Sequence, residues 1–327
     1  MIERRRFLTG AMAAAVAAPG FPKPALAQAY PSRAIRLVVP YVAGSPVDVM
    51  ARIVFQHAGQ RLGQQFILEN RPGAGTTIGN KAVASAPPDG YTLLLAGQST
   101  AYMNYFYPKL DIDPIKSFTS IGTLAGWSHV MIVPPKLPVK TVAEFVQYAK
   151  ANPGKLSFGF GLGTGPQILG EYFKVIAEID ILSVPYRGGE NARQDLLAGQ
   201  IDLNFVPISN VLELAASGQV RAIAMTHRTR NRLMPDVPTM VESGYPQLGF
   251  DPDSWTALAG PADLPADIVR RLNQAINDSL KSPDLLATFD KLGMEAMPGS
   301  AQDMQGFLKS HVDKWPTILR TAKINQM

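Results

Sequence analysis

Short β-rich runs alternate with helix-patterned stretches along most of the chain. The first cycle opens with IRLVV at 35–39, and apolar residues at helical spacing follow as far as Leu62. A second cycle of the same kind begins near Val130. The further β-rich runs lie at 65–69, 91–96, 156–160, 183–186, 201–206 and 222–225. This alternation predicts α/β architecture, with mostly parallel sheets flanked by crossover helices.

The last part of the chain can return to the first α/β unit. From Trp255 onward a short β-rich run precedes helical stretches around 268–280 and 304–321. We therefore predict two lobes joined by two crossing segments, the outward one around 122–128 and the return one in the Pro- and Gly-rich stretch 235–252. Lobe 1 is assigned to 28–125 and 251–327, and lobe 2 to 126–250.

The first 27 residues have the order of an export signal. RRRFL at 4–8 has the twin-arginine form, an apolar run occupies 11–18, and ALA at 25–27 is a small-x-small cleavage site. The apolar run is shorter than the roughly 20 residues that span a bilayer. We expect a twin-arginine-type signal peptide cleaved near Ala27 and a soluble periplasmic mature protein. The alternative is a basic tail on a cytosolic protein.

Composition excludes several classes of function. The chain has 31 Lys and Arg against 26 Asp and Glu, and the predicted signal holds four of the basic residues and one acidic residue, so about +2 remains after cleavage. This charge gives no electrostatic reason to expect nucleic-acid binding. The chain has no cysteine, which excludes disulfides, thiol catalysis and Cys-ligated metal sites.

Polar residues follow the β-rich runs of the first lobe. Ligands of open α/β sheets bind outside the carboxyl ends of strands, where helix N-termini offer free N–H groups that suit anions. Ser45 suits the N-cap of the first helix, with Pro46 at its first position. We predict ligand contacts from Ser45, from Tyr41 as one wall, and from Gln98 and Ser99. An ordinary helix cap explains Ser45 equally well.

A glycine-rich segment follows the run 156–160 in the second lobe. GLGTGP at 161–166 lets a backbone approach a ligand closely, and Pro166 marks a helix start. A dinucleotide fingerprint requires glycine in place of Pro166, and a phosphate loop requires Gly-Lys-Ser/Thr. An anion cradle that includes Gly163, Thr164 and Gly165 is therefore favoured over a nucleotide loop.

Two further junctions of the second lobe supply candidate contacts. Gly189 and Asn191 open the helix after 183–186 and are predicted to bind the ligand. Arg187 could pair with a carboxylate bidentately, although a solvated or bracing arginine is the alternative that we favour. Val206, at the end of the run 201–206, is predicted to line the middle of the cleft.

Six segments of the chain have recognisable motifs. They are YPSRAIRLVVP at 30–40, ENRPGAG at 69–75, PDGYTLL at 88–94, VPYRGG at 184–189, DLLAGQ at 195–200 and PDVPT at 235–239. Together they resemble the tripartite tricarboxylate transporter receptor family, also called the Bug family, over essentially all of the mature chain. The resemblance implies a two-lobed type II periplasmic-binding fold that closes on a carboxylate and delivers it to a tripartite tricarboxylate-type membrane permease.

Three segments depart from the pattern of this family. GSPV at 44–47 stands where a Gly-Gly-Gly-Thr run is usual, and PQI at 166–168 replaces a polar or His-containing stretch. Val206 stands where an Asp that could accept a ligand ammonium is often found. Together with Val42, Val47 and Phe160, it predicts a less polar pocket. We expect a dicarboxylate or an aromatic carboxylate rather than an amino acid.

The sequence contains no recognisable catalytic constellation. GQSTA at 97–101 begins like a nucleophile elbow but lacks the final glycine. The histidines are scattered, at His57, His129, His227 and His311, so surface or structural roles are expected for them. We predict a monomeric binding protein that is not an enzyme and has no cofactor or metal. A binding protein that serves a sensory two-component system and a hydrolytic enzyme remain as alternatives.

Overall fold

The computed structural model describes residues 30–250 and 252–324. The predicted signal peptide at 1–27 therefore lies outside the described residues. No helix within the described ranges is long and apolar enough to cross a membrane.

The described residues form eleven strands and ten α-helices. The strands are β1 (Ile35–Val39), β2 (Phe66–Asn70), β3 (Thr92–Gly97), β4 (Phe118–Trp127), β5 (His129–Val133), β6 (Ser157–Gly161), β7 (Leu182–Tyr186), β8 (Leu203–Pro207), β9 (Arg221–Met225), β10 (Ser254–Pro261) and β11 (Met294–Ala296). The helices are α1 (Pro46–Leu62), α2 (Thr77–Ala84), α3 (Gln98–Phe106), α4 (Val142–Ala151), α5 (Gly165–Ala177), α6 (Gly189–Leu197), α7 (Leu212–Ala216), α8 (Ala266–Ser279), α9 (Pro283–Lys291) and α10 (Ala301–Thr321).

Two mixed sheets organise these elements. Sheet A has the strand order β11-β4-β10-β3-β1-β2, and sheet B has the order β7-β6-β8-β5-β9. In sheet A, β1 is parallel to β2 and β3, whereas β10 lies antiparallel between β3 and β4. In sheet B, β6 is parallel to β7 and β8, and β5 is antiparallel to β8 and β9. The predicted α/β class is confirmed, and the late strand β10 returns the chain to sheet A.

The outward crossing is shorter than the sequence predicts. β4 ends at Trp127 and β5 begins at His129, so Ser128 alone separates them, and most of 122–128 is strand paired with β10. Gly126, within this segment, allows close packing inside the strand. A Cβ at this position would collide with Pro252 and lie 2.8 Å from Met297 Sδ.

The return between the sheets runs from Met225, at the end of β9, to Ser254, at the start of β10. This segment contains the stretch 235–252 in which the sequence places the return crossing. The boundaries of the lobes, at 125–126 and 250–251, stay predictions.

Local signals fix both ends of α1. The Ser45 hydroxyl accepts a hydrogen bond from Asp48 N at 3.3 Å, and Pro46 is the first helical residue. Gly63 ends the helix in a left-handed conformation with φ of 71°, which glycine adopts without steric cost. Because Ser45 and Pro46 set the start of α1, they also hold the end of the loop that leaves β1.

α10 contributes a buried histidine that lies between two indoles. Trp255 Nε1 and Trp315 Nε1 each donate to His311 Nδ1 over 3.2 Å, so the imidazole proton resides on Nε2. The residue is only 8 % exposed. Burial, and secondarily the nearby charge of Lys314, lower the pKa of His311 to about 4 from 6.5. The folded chain therefore holds this imidazole neutral.

The lowered pKa of His311 predicts a loss of stability in acid. Between pH 6.5 and about 4 the unfolded chain binds the proton more readily than the folded chain. The contribution of this group is complete above pH 6.5 and is lost as the pH falls toward 4, by up to roughly 3 kcal/mol. Urea unfolding across this range should show a flatter pH dependence for His311→Gln than for the wild type. Equal slopes for the two proteins would contradict the assignment.

Candidate functional site

α3 begins directly where β3 ends and carries two predicted site residues in its first turn. Gln98 and Ser99 are both buried, and Gln98 Oε1 accepts a hydrogen bond from Ser254 Oγ at 3.1 Å. The hydroxyl of Tyr41 lies over Gly97, where an added Cβ would collide with it. Burial raises the pKa of Tyr41, and a hydrogen bond with Ser99 opposes this shift. The structure therefore brings Tyr41, Gln98 and Ser99 together.

A buried carboxylate holds the loop that carries Tyr41. Asp48 accepts hydrogen bonds from Gly44 N at 2.9 Å, Arg52 Nε at 2.9 Å and Asn70 Nδ2 at 2.8 Å. Desolvation raises the pKa of Asp48, but these hydrogen bonds outweigh it and hold the pKa below its usual value. Asn70 also donates to the Tyr41 carbonyl at 3.1 Å, which ties the loop to the end of β2.

The loops after β6 and β7 press against each other on the sheet B side. Thr164 Oγ1 donates to the Gly161 carbonyl at 2.6 Å. A Cβ on Gly161 would lie 2.9 Å from Gly189 N and 3.2 Å from Thr164 Cγ2. Gly165 and Gly189 are the first residues of α5 and α6. Glycine at 161 is therefore what lets the starts of these two helices lie side by side.

The two groups of predicted residues meet at Gly165. A Cβ on this glycine would lie 3.3 Å from Gln98 Oε1, 3.4 Å from Ser254 Oγ and 3.9 Å from His129 Cε1. The N-terminus of α5 from sheet B thus faces the N-terminus of α3 from sheet A. Both ends carry unpaired backbone N–H groups and the positive end of a helix dipole. We refer to this junction of Gln98 and Gly165 as the interlobe gap, and the N-termini of helices suit an anion.

A buried cluster that the sequence does not reveal joins the two crossing segments. His129 Nδ1 lies 3.0 Å from Asp253 Oδ1, and the backbone N–H of His129 donates to Asp253 Oδ2 at 3.1 Å. Thr226 Oγ1 also donates to Asp253. His129 is 3 % exposed and Asp253 1 %. The two residues are 124 positions apart, so no local pattern indicates the contact, and the expectation of a scattered histidine misses it.

Three other predicted site residues have different surroundings. Ser45 caps α1, as described above, and Asn191 is exposed in the first turn of α6. The Gly163 amide already donates to Gln167 Oε1 at 2.8 Å. Contact of these residues with a ligand stays a prediction.

The side chains that suggest a less polar pocket lie apart from one another. Val206 is 3 % exposed and packs with Val130 in the core of sheet B, on the face that α6 covers. Val47 belongs to the core along α1, and Phe160 packs on a third cluster. Val42 is 61 % exposed. These side chains therefore do not share one surface, and a contact from Val206 to a ligand stays a prediction.

Cavity size alone does not locate the site. A groove of about 830 Å³ lies along α1 and the edge strand β2, and another of about 570 Å³ lies between the starts of α8 and α10. Neither groove is lined by a predicted site residue. In the part of the chain that the structure describes, no group of three or more His, Asp or Glu side chains could hold a metal ion.

Comparison with known proteins agrees with the class that this geometry defines, a two-lobed periplasmic-binding fold. Residues 50–324 match the family described as the tripartite tricarboxylate transporter family receptor. The chain belongs to this family. Protein BugT of Bordetella pertussis (strain Tohama I) is 31 % identical over 308 residues, which cover 93 % of this chain and 94 % of BugT.

Two solved structures show the same fold with a ligand. R. palustris Rpa4515 with adipate has a TM-score of 0.81 and 29 % identity, and the match covers 91 % of this chain and all of Rpa4515. MatC of Rhodopseudomonas palustris with bound malate has a TM-score of 0.77 and 28 % identity, and the match covers 89 % of this chain and all of MatC. The predicted family and fold are confirmed.

Removal of the Asp253 carboxylate should destabilise the protein strongly. Asp253→Ala leaves His129 N, the imidazole and the Thr226 hydroxyl without their shared acceptor inside the core. Breaking a buried pair of this kind costs about 3–5 kcal/mol. We expect urea unfolding to show a loss of this size, against little change for the exposed Asp236→Ala. A loss below about 1 kcal/mol would show that the cluster does not hold the crossings together.

Proposed function

We propose that this chain is a periplasmic solute-binding protein that captures a small carboxylate between its lobes and delivers it to a tripartite tricarboxylate-type permease. Lobe 1 comprises 28–125 and 251–327, and lobe 2 comprises 126–250. The observation that carries the proposal is the approach of Gly165, at the start of α5, to Gln98, at the start of α3. A carboxylate in the interlobe gap meets N–H donors from both helices.

Ligand contacts are proposed from both sides of the gap. Tyr41, Gln98 and Ser99 act from lobe 1, where Asp48 already orders the loop after β1. Gly165 contributes its backbone from lobe 2. The other contacts from lobe 2 are Thr164 and Gly189, which adjoin Gly165 and Gly161. Further contacts are proposed that require local rearrangement before they can reach a ligand. They come from Ser45, Gly163, Asn191 and, in the middle of the cleft, Val206.

The relatives favour a dicarboxylate as the ligand class. Rpa4515 is described with adipate and MatC with malate. Each of these ligands carries two carboxylate groups. Two helix N-termini that face each other suit a ligand with negative charge at both ends. This supports the expectation of a dicarboxylate.

Capture is proposed to occur by closure of the lobes about the two crossings. The His129–Asp253 cluster at the crossings is buried. Away from them, Arg232 pairs with Asp290 across the two sheets, and an exposed pair of this type contributes only about 0–1 kcal/mol. Helix α10 also packs against α5, and one buried apolar cluster contains residues next to both sheets. A ligand that bridges the lobes favours the closed form, in which these contacts are made.

A thermal-shift panel on the mature protein tests the function directly. A ligand that binds only the folded state raises the melting temperature. We expect a clear rise with adipate or malate, no rise with aspartate or glutamate, and no consumption of the ligand when NMR follows it. Aromatic carboxylates form the third arm. If native mass spectrometry shows an empty site and no carboxylate raises the melting temperature, the proposal is wrong, and consumption of a ligand would indicate an enzyme.

Gly165→Ala should obstruct the interlobe gap. The added Cβ would come within 3.3–3.4 Å of Gln98 Oε1 and Ser254 Oγ, so the dicarboxylate loses room next to the start of α5. We expect calorimetry to show at least roughly tenfold weaker binding, with little change in melting temperature.

The matched control is Gly306→Ala, at an exposed position of α10 with no atom within 4 Å of the added Cβ. This variant should stabilise the helix by up to about 1 kcal/mol and leave affinity unchanged. Full affinity in Gly165→Ala would move the site away from the gap.

A further inference from the structure

The loop between β2 and α2 has an unusual backbone. Gly73, Ala74, Gly75 and Thr76 all have positive φ, at 124°, 45°, 58° and 78°. A β-branched residue such as Thr76 is strained in this left-handed region. The strained conformation places the Thr76 side chain in a buried position against the start of α3. The hydroxyl of this side chain therefore contacts the first turn of α3 at Ser99.

Asn80 fixes the direction of the hydrogen bonds around Thr76. Asn80 Nδ2 donates to the Thr76 carbonyl at 2.9 Å and to Thr76 Oγ1 at 3.1 Å. A carbonyl only accepts, so the orientation of the amide is determined, and Asn80 Oδ1 accepts from Thr100 Oγ1 at 3.1 Å. Since Thr76 Oγ1 accepts from Asn80, its own hydrogen is directed to Ser99 Oγ, 2.9 Å away.

The contacts of Ser99 extend this chain of hydrogen bonds. Ser99 Oγ accepts from Thr76, so this hydroxyl keeps one hydrogen to donate and one further lone pair. The Tyr41 hydroxyl is hydrogen-bonded to Ser99, and Gln98, the residue before Ser99, adjoins the interlobe gap. A buried donor requires an acceptor, and its loss is costly. The chain of hydrogen bonds thus reaches from Thr76 to the Ser99 and Tyr41 hydroxyls.

We propose that Thr76 and Asn80 are positioning residues that occupy one lone pair of the Ser99 hydroxyl and orient Ser99, and Tyr41 beside it, to donate toward the gap. This end of the site then favours a carboxylate oxygen over an ammonium. The inference rests on the proposed function and deepens it. A carboxylate accepts from every donor offered. An ammonium, which can only donate, competes with Thr76 for the two lone pairs of the Ser99 oxygen.

Hydroxyl deletion at position 76 tests the inference, with adipate and malate as probes. Thr76→Val removes the hydroxyl and should weaken binding of both by roughly tenfold in calorimetry, whereas Thr76→Ser should stay within about twofold of the wild type. Ser99→Ala should weaken binding to a similar extent. Thr76→Val combined with Ser99→Ala should bind no more weakly than Ser99→Ala alone, because Thr76 acts through Ser99.

Selectivity provides a readout that a merely structural role would not move. In Thr76→Val both lone pairs of the Ser99 oxygen are free to accept, against one in the wild type, so the ratio of the aspartate Kd to the malate Kd, measured by competition, should fall. Thr76→Gly relieves the left-handed strain and should fold while showing the same weaker binding. The control is Ala74→Gly, at φ of 45° in the same loop, which should leave affinity and selectivity unchanged.

The outcomes separate this inference from the proposed function. If the wild type, Thr76→Val and Thr76→Gly all bind adipate and malate equally well, the inference is overturned and the proposed function is not. Losses that multiply in the double variant also overturn it, because Thr76 would then act independently of Ser99. Wild-type protein that binds no carboxylate overturns both proposals.

Discussion

The buried carboxylate of Asp253 connects the two chain segments that determine how the sheets lie relative to each other. It accepts hydrogen bonds from the backbone and ring of His129, just after the outward crossing, and from Thr226, at the start of the return. A charge out of contact with water is costly unless it is paired, so the carboxylate keeps these partners. Gly165 and Gln98 lie on helices that adjoin different sheets, and this cluster lies at the crossings that join those sheets.

Each half of the candidate site is ordered by its own contacts before any ligand bridges the two. On one side Asp48 fixes the loop that carries Tyr41, and Thr76 joins the next loop to α3. On the other side Gly161 lets the starts of α5 and α6 pack together. A ligand that binds then fixes only the angle between two surfaces that are already formed. This reduces the entropic cost of binding.

Sequence reasoning succeeds where the information is local. The alternation of strands and helices predicts the α/β class, and Ser45, Pro46 and Gly63 predict both ends of α1. The same reasoning anticipates that Tyr41 and the start of α3 belong to one surface, because the carboxyl ends of neighbouring parallel strands adjoin each other.

It fails where distant segments decide the outcome. The partner of His129 lies 124 residues away. The alternation of side chains along a strand predicts which residues share a face of the sheet. It does not predict which face a helix covers, and α6 covers the face on which Val206 lies, so Val206 packs in the core. Gly126 lies in the segment that the sequence assigns to the outward crossing, yet the close approach of Pro252 and Met297 requires glycine at this position within β4. Such approaches depend on tertiary packing, which a single sequence does not encode at any fixed spacing.

The distribution of tryptophan has an optical consequence. The chain contains three tryptophans. Trp255 and Trp315 touch the His311 imidazole, and Trp127 ends β4 one residue before the second sheet begins. Phe250, on the return segment, stacks against Trp315 with ring centroids 5.6 Å apart. The tryptophan fluorescence of the protein therefore originates at the junction of the sheets rather than within either sheet, so the emission of the unlabelled molecule reports on that junction.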